Sequence, residues 1–231
     1  MLIDMNVTLL SYTPDPERTC AAAALTSFWH KGASETHHVL SDEEIDDILT
    51  KVMGYGHVSV IEHATFTFSL EGISRACSHQ LVRHRVASYT QQSQRYVEIE
   101  NFSPVLPPSI RANRDAAKVY DNVMESVKQA YEKLIGLGID NEDARFVLPN
   151  ATPTNIVVTM NARELRHFFK MRCCERAQWE IRDVARRMLA CVRPVAPRLF
   201  RRAGPSCVCE GRCPEGDLSC GRIRGVADEE G

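Results

Sequence analysis

No apolar run in this chain comes near the ~18 residues that a bilayer-crossing helix needs. The opening stretch, Met1 to Leu10, carries an acid and no cationic segment, so a soluble, cytoplasmic protein is the expectation. A basic excess is lacking as well. The 28 lysines and arginines stand against 30 acids, a formal net charge of −2, which argues against a non-specific nucleic-acid binder built on a basic domain. No Gly-x-Gly-x-x-Gly follows a predicted strand; Gly54-Tyr55-Gly56 lacks the third glycine and follows a helix. A Rossmann dinucleotide fold is therefore not expected. No internal repeat is visible.

The most local absence is the most informative. Between Glu71 and Glu98 there is no acid at all, and residues 83–96 gather three arginines, a histidine, two serines, a threonine, three glutamines and two tyrosines. Guanidinium forks grip phosphate, while hydroxyl and amide groups read the edge of a ring. A solvated basic helix face is the bland alternative, but it leaves the missing partner acids unexplained. An anion-binding segment is the better expectation. A rival from another class is a single-strand-binding module, with Tyr89 or Tyr96 stacking on bases. The acidic balance elsewhere weighs against it.

The pattern predicts an α/β chain. Val7–Ser11 reads as a first strand, and Glu17–Trp29 as an alanine-rich helix. Ser41 with Glu44 is a capping-box signature opening a helix to about Met53. Thr65–Leu70 alternates strictly, so Phe66, Phe68 and Leu70 should face a core. After Gly72, helical spacing of Ile73, Ala76, Cys77 and Leu81 predicts a helix on which Gln80, Arg83 and His84 share a face. Tyr96–Ile99 reads as a strand. A long amphipathic helix from Ala117 to Ile135 is stopped by Gly136 and Gly138. Asp140 caps a short helix ending before Pro149, Asn155–Thr159 is strand-like, Asn161 caps a helix to Arg172, and a long helix from Glu175 to Phe200 follows.

A second cationic cluster lies on the helix opened by Asn161. There Arg163 and His167 stack one turn apart, and Arg172 shares a side with Leu165 and Phe168. An arginine in apolar surroundings needs an anion. Ordinary bridges, such as Arg172 to Glu175, are equally open from sequence, and Arg145 has the same ambiguity.

Taken together, these segments resemble the flavin-dependent thymidylate synthases. Arg83-His84-Arg85, then Ser93 and Arg95-Tyr96, resembles the family signature. Gly56-His57 with Glu62-His63 is similar to its first flavin-contacting loop, and Ala144–Pro149 to its central arginine segment. Asn161-Ala162-Arg163, His167, Met171-Arg172 and Ala177–Glu180 resemble its C-terminal helices. Thr90 departs from the frequent asparagine of the signature, and Arg176 stands where some members have histidine.

The residues read as a single α/β domain over 1–203 followed by a Cys/Gly-rich tail over 204–231, and the resemblance implies for that domain a mixed, largely antiparallel sheet flanked by long helices. It implies methylation of dUMP to dTMP, with methylenetetrahydrofolate as carbon donor and FAD reduced by NADPH, in a homotetramer with sites at subunit interfaces. By position, Gln80, Arg83, Gln91, Gln92, Ser93, Gln94, Arg95, Arg145 and Arg172 would bind dUMP. Ser59, Arg83, His84, Arg85, Gln91, Asn161, Arg163 and His167 would bind FAD, and Arg172 would be catalytic. Ser93 is read as a binder, because no oriented base is evident and hydride delivery needs no protein adduct. His84 among arginines should have a lowered pKa and stay neutral. His63 and His79 read as ordinary core histidines.

Nine cysteines, an odd count, argue against a complete disulfide framework. Cys20, Cys77, Cys173, Cys174 and Cys191 read as reduced core thiols. Cys207, Cys209, Cys213 and Cys220 cluster in the tail. Four thiolates suit tetrahedral zinc, but their spacing is not that of paired Cys-x₂-Cys knuckles, and a mobile tail with free or oxidised thiols is the alternative.

Overall fold

The structure, a computed structural model, describes residues 5–97 and 102–223. In chain order the elements are β1 (Asn6–Tyr12), α1 (Pro16–Leu25), α2 (Ala33–Val39), α3 (Asp42–Gly54), a 3-10 turn (Val58–His63), β2 (Thr65–Ser74), α4 (Arg75–Leu81) and β3 (Ala87–Gln91). Then come α5 (Pro108–Arg111), α6 (Arg114–Gly136), α7 (Asn141–Ala144), a 3-10 turn (Arg145–Val147), β4 (Pro153–Asn161), α8 (Ala162–Arg172), α9 (Trp179–Val192), α10 (Pro197–Phe200), α11 (Ser206–Cys209) and a last 3-10 turn (Gly216–Leu218). The four strands form one antiparallel sheet in the order β1-β2-β4-β3. None of the described helices is long and apolar enough to cross a membrane.

The chain divides into two compact units. Of the described residues, one holds Met5–Asn6, Leu70–Arg83 and Tyr89–Val157; the other holds Val7–Ser69, His84–Ser88 and Val158–Ile223. In the second unit, β2 contributes Phe66 and Phe68, both fully buried as their alternation requires. The Phe66 ring lies edge-on 5.4 Å from Phe200, which lies edge-on 6.0 Å from Phe169 of α8. Burying each such ring contributes roughly 2 kcal/mol. Buried Cys20 and Cys173 belong to this unit's interior, where burial pushes their thiols up to about 12 and about 11. Glu17 of α1 is also buried. Its carboxylate accepts the Arg198 and Leu199 amides at 2.5 and 3.3 Å and pairs with the Arg198 guanidinium at 2.6 Å.

Local signals place several elements where they were expected. Ser41 Oγ accepts the Glu44 amide at 3.2 Å while the Glu44 carboxylate accepts the Ser41 amide at 2.8 Å, so the capping box opens α3. Asn161 Oδ1 accepts the Glu164 amide at 2.9 Å and opens α8. Asp140 occupies the cap position of α7, but its side chain makes no capping bond.

Four expectations are corrected. The helix after Gly72 begins only at Arg75, because β2 runs on to Ser74, whose hydroxyl caps α4 by accepting the Cys77 amide. Gly72 sits inside the strand at φ 69, a backbone that side-chain-bearing residues resist. Helix α4 stops at Leu81, so Arg83 and His84 lie beyond it and do not share its face with Gln80. Tyr96 and Val97 form a turn and a bend rather than a strand, and Glu98–Ile99 lie outside the described residues; the strand of this region is β3. The helix expected from Glu175 to Phe200 is two helices, α9 and α10, because Pro194 and Pro197 cannot sit in a helix interior.

Candidate functional site

In the second unit, α8 presents Arg163, Glu164, His167 and Arg172, and the loop after Arg83 presents His84 and Arg85. His84 is 7% exposed. Its ring meets Phe168 edge-on at 4.9 Å and His167 at 5.8 Å. Arg172 Nε donates to His84 Nε2 at 3.1 Å, and His84 Nδ1 lies 3.1 Å from Glu164 Oε1.

These two bonds fix the tautomer. The guanidinium only donates, so Nε2 is the acceptor and the proton resides on Nδ1, where it is donated to Glu164. Burial first, then the neighbouring Arg172 and His167, push His84 down to about 4. The imidazole is therefore neutral near pH 7, as expected, and its contact with Glu164 is a hydrogen bond rather than an ion pair. Burial raises the Glu164 pKa above its ordinary value, which His167 partly opposes. Glu164 had no part in the sequence-based site. Its asparagine cap was legible, but its partner lies 80 residues earlier.

Arg172 is half-buried, and Glu175 does not bind it; Glu175 instead pairs with Arg182, Arg186 and Arg222. The guanidinium is held through Nε alone, and its terminal nitrogens have no partner among the described residues. Arg163 is exposed and bridges Glu62 of the 3-10 turn at 2.5 Å. Ser59, on the same turn, is exposed, as are His63 and His167. Arg85 is exposed with no hydrogen-bond or ion-pair partner among the described residues.

Oxygen and nitrogen atoms of His84, Glu164 and His167 all lie within 4.8 Å of one another, a spacing that suits a metal ion. Both His84 nitrogens are already engaged, however, and a guanidinium occupies one side.

In the first unit, Gln91 of β3 donates to Ser78 Oγ and Thr154 Oγ1 at 3.0 and 3.2 Å, which ties its amide to α4 and β4. The Gln92 amide donates to the Asn155 carbonyl at 2.8 Å, carrying the β3–β4 pairing one residue past the strand. Gln80 and Gln94 are half-buried. Ser93 Oγ accepts the Arg95 amide at 3.2 Å; among the described residues no histidine or carboxylate bonds to it.

The arginines here differ in how they are matched. Arg95 finds its acid in Glu142, at 2.7 Å and 47 residues away, and lies over the Tyr96 ring. The acids absent from the local sequence thus come partly from elsewhere in the chain. Arg83 is exposed and has no such partner among the described residues. Arg145 is half-buried and donates to the Glu142 carbonyl at 3.1 Å.

Arg75, not singled out in the sequence, is half-buried at the start of α4. Its amide donates to the Thr152 carbonyl at 3.0 Å. Burial, then the charge of Arg145, lowers its pKa. Its place in the acid-free window was the one available signal. His79 is exposed, so neither it nor His63 is a core histidine; their polar rings remain in water.

Residues 8–198 match the family model of the thymidylate synthase complementing protein. The chain is 53% identical over 224 residues to a flavin-dependent thymidylate synthase of Geobacter sulfurreducens, covering 96% of each. It is 48% identical to one of Pyrococcus furiosus, covering 93% of this chain and 91% of that one. Among solved structures, the chain is similar to the UMP/dUMP methylase PolB of Streptomyces cacaoi bound with 5-Br dUMP. The TM-score is 0.74 at 23% identity, over 86% of this chain and 93% of that one, a likeness of fold.

Proposed function

The chain belongs to the flavin-dependent thymidylate synthase family, and from that premise we propose that it methylates dUMP at C5 to give dTMP, with FAD as its cofactor. The methylene carbon would come from methylenetetrahydrofolate. FAD, reduced by NADPH, would supply the hydride that brings this carbon to the methyl level. The observation that carries the reading is the hydrogen-bonded series Arg172–His84–Glu164, which holds one guanidinium by its Nε and leaves its fork open.

The donor set suits two anionic ligands. Toward FAD, a diphosphate, the residues are Ser59, Arg83, His84, Arg85, Gln91, Asn161, Arg163 and His167. Arg85 brings a positive charge with no acidic partner among the described residues, and neutral His84 adds none. Toward dUMP, the residues are Gln80, Arg83, Gln91, Gln92, Ser93, Gln94, Arg95, Arg145 and Arg172. Arginine forks neutralise the phosphate, while amide and hydroxyl groups bond the pyrimidine edge.

Arg172 is the catalytic residue. Held by His84, its terminal nitrogens bind the pyrimidine and stabilise the negative charge that develops as C5 becomes nucleophilic. His84 must stay neutral to accept from Arg172, and its depressed pKa supports this. Ser93 binds rather than attacks, so no covalent protein adduct is involved. The enzyme acts in the cytoplasm as a homotetramer whose sites lie at subunit interfaces.

The test is release of tritium from 5-tritiated dUMP by the purified protein, with and without folate and NADPH. Release that depends on bound flavin is expected. A flavin-free preparation, or one that binds dUMP without releasing tritium when flavin, folate and NADPH are supplied, would overturn the reading.

A further inference from the structure

Four of the nine cysteines line one small cavity of the second unit: Cys174, just past the end of α8, and Cys207, Cys213 and Cys220 of the tail. The cavity is about 70 Å³, roughly the share of two waters in the liquid. It is far below the ~300 Å³ at which small-molecule sites begin. An ion fits; a nucleotide or folate does not. All four thiols are free, and three are half-buried with only Cys220 exposed. Cys209 is not in the wall, and its sulfur lies 3.9 Å from the Ser206 carbonyl. The grouping thus differs from the four tail cysteines that sequence spacing singled out.

A second observation concerns what orders the tail. Beyond Ala203 no large apolar side chain is buried among the described residues, and Val208 and Leu218 are 46% and 58% exposed. A segment with so little core needs a staple, and metal binding supplies one because its free energy becomes folding free energy. Lys170, Arg176 and Arg222 also lie in the wall, but each is tied to an acid, Glu210, Glu215 and Glu175 respectively, so they do not decide the charge of the site.

We propose that Cys174, Cys207, Cys213 and Cys220 form a tetrahedral thiolate site for Zn²⁺ that fastens the tail to the C-terminal end of α8. Binding releases the four thiol protons. Among the described residues the one His, Cys or carboxylate trio within 4.8 Å is His84–Glu164–His167. The four sulfurs must therefore draw inward to the ~2.3 Å Zn–S distance, ordering the tail as they close.

The test uses full-length protein purified anaerobically with zinc, read by elemental mass spectrometry and by alkylation mapping of every cysteine. One zinc per chain is expected. Cys174, Cys207, Cys213 and Cys220 should be protected until a chelator is added, while Cys209 labels at the same rate with and without metal. Cys209→Ser should keep the metal, and Cys174→Ser should lose it. Because the alkylation map needs no variant, a misfolded substitution would not blunt the test. Absence of stoichiometric zinc after reconstitution, iron in its place, disulfides among these four thiols in the anaerobic protein, or protection of Cys209 instead of Cys174 would each overturn the proposal.

Discussion

Titration of His84 tests the Arg172–His84–Glu164 series most directly. The folded imidazole titrates at about 4 against an ordinary value of 6.5. The unfolded chain therefore binds more protons between these values. The stabilising contribution is whole above about pH 6.5 and is lost as the pH falls toward about 4. At ~1.4 kcal/mol per unit, the shift amounts to roughly 3 kcal/mol at most. Glu164 acts in the opposite sense. Its raised pKa means the folded state takes up that proton first, so its contribution grows as the pH falls. The comparison must therefore be with a variant, and His84→Asn retains a donor near the Nδ1 position. Urea midpoints from about pH 4 to about pH 7 should show the wild type losing stability relative to His84→Asn by up to about 3 kcal/mol. Long-range ¹⁵N–¹H correlation should find the proton on Nδ1. A flat difference curve, titration near 6.5, or a proton on Nε2 would refute the arrangement.

Arg172→Ala should fold and keep FAD, while dTMP formation falls by at least ~10²–10³-fold; the His84 pKa should rise, because a neighbouring cation is gone. Wild-type turnover in that variant would remove Arg172 from the mechanism. Glu17→Ala should cost roughly 1–3 kcal/mol, since it leaves two amides of α10 without their acceptor, while the half-buried Arg198 keeps Asp42 and Asp46. A urea midpoint unchanged from wild type would count against that account.

Family membership was legible because it rests on ordered local segments, from Arg83-His84-Arg85 to Met171-Arg172, and the comparisons bear it out. The site was legible only in its residue types. Sequence marked the arginines but not which of them are matched by acids. Arg95 and Arg163 find Glu142 and Glu62, while Arg83 and Arg85 find none among the described residues. Strand β3 was missed because Ala87, Tyr89 and Gln91 on one face and Ser88 and Thr90 on the other give little apolar alternation, and its place at the end of the sheet buries neither face fully.

What the sequence determined by itself is what repeats over a few residues. The alternation of Phe66, Phe68 and Leu70, the Ser41–Glu44 box, the Asn161 cap and the long α6 all follow from the strand and helix periods and from local amide capping. Only tertiary structure decided that His84 meets Glu164 and Arg172, 80 and 88 residues onward, and that Cys174 shares a cavity with tail cysteines. The physical reason is one of range. A helix or strand period is set by the backbone within a few residues, whereas the partner of a buried side chain is set by which segments the core brings together.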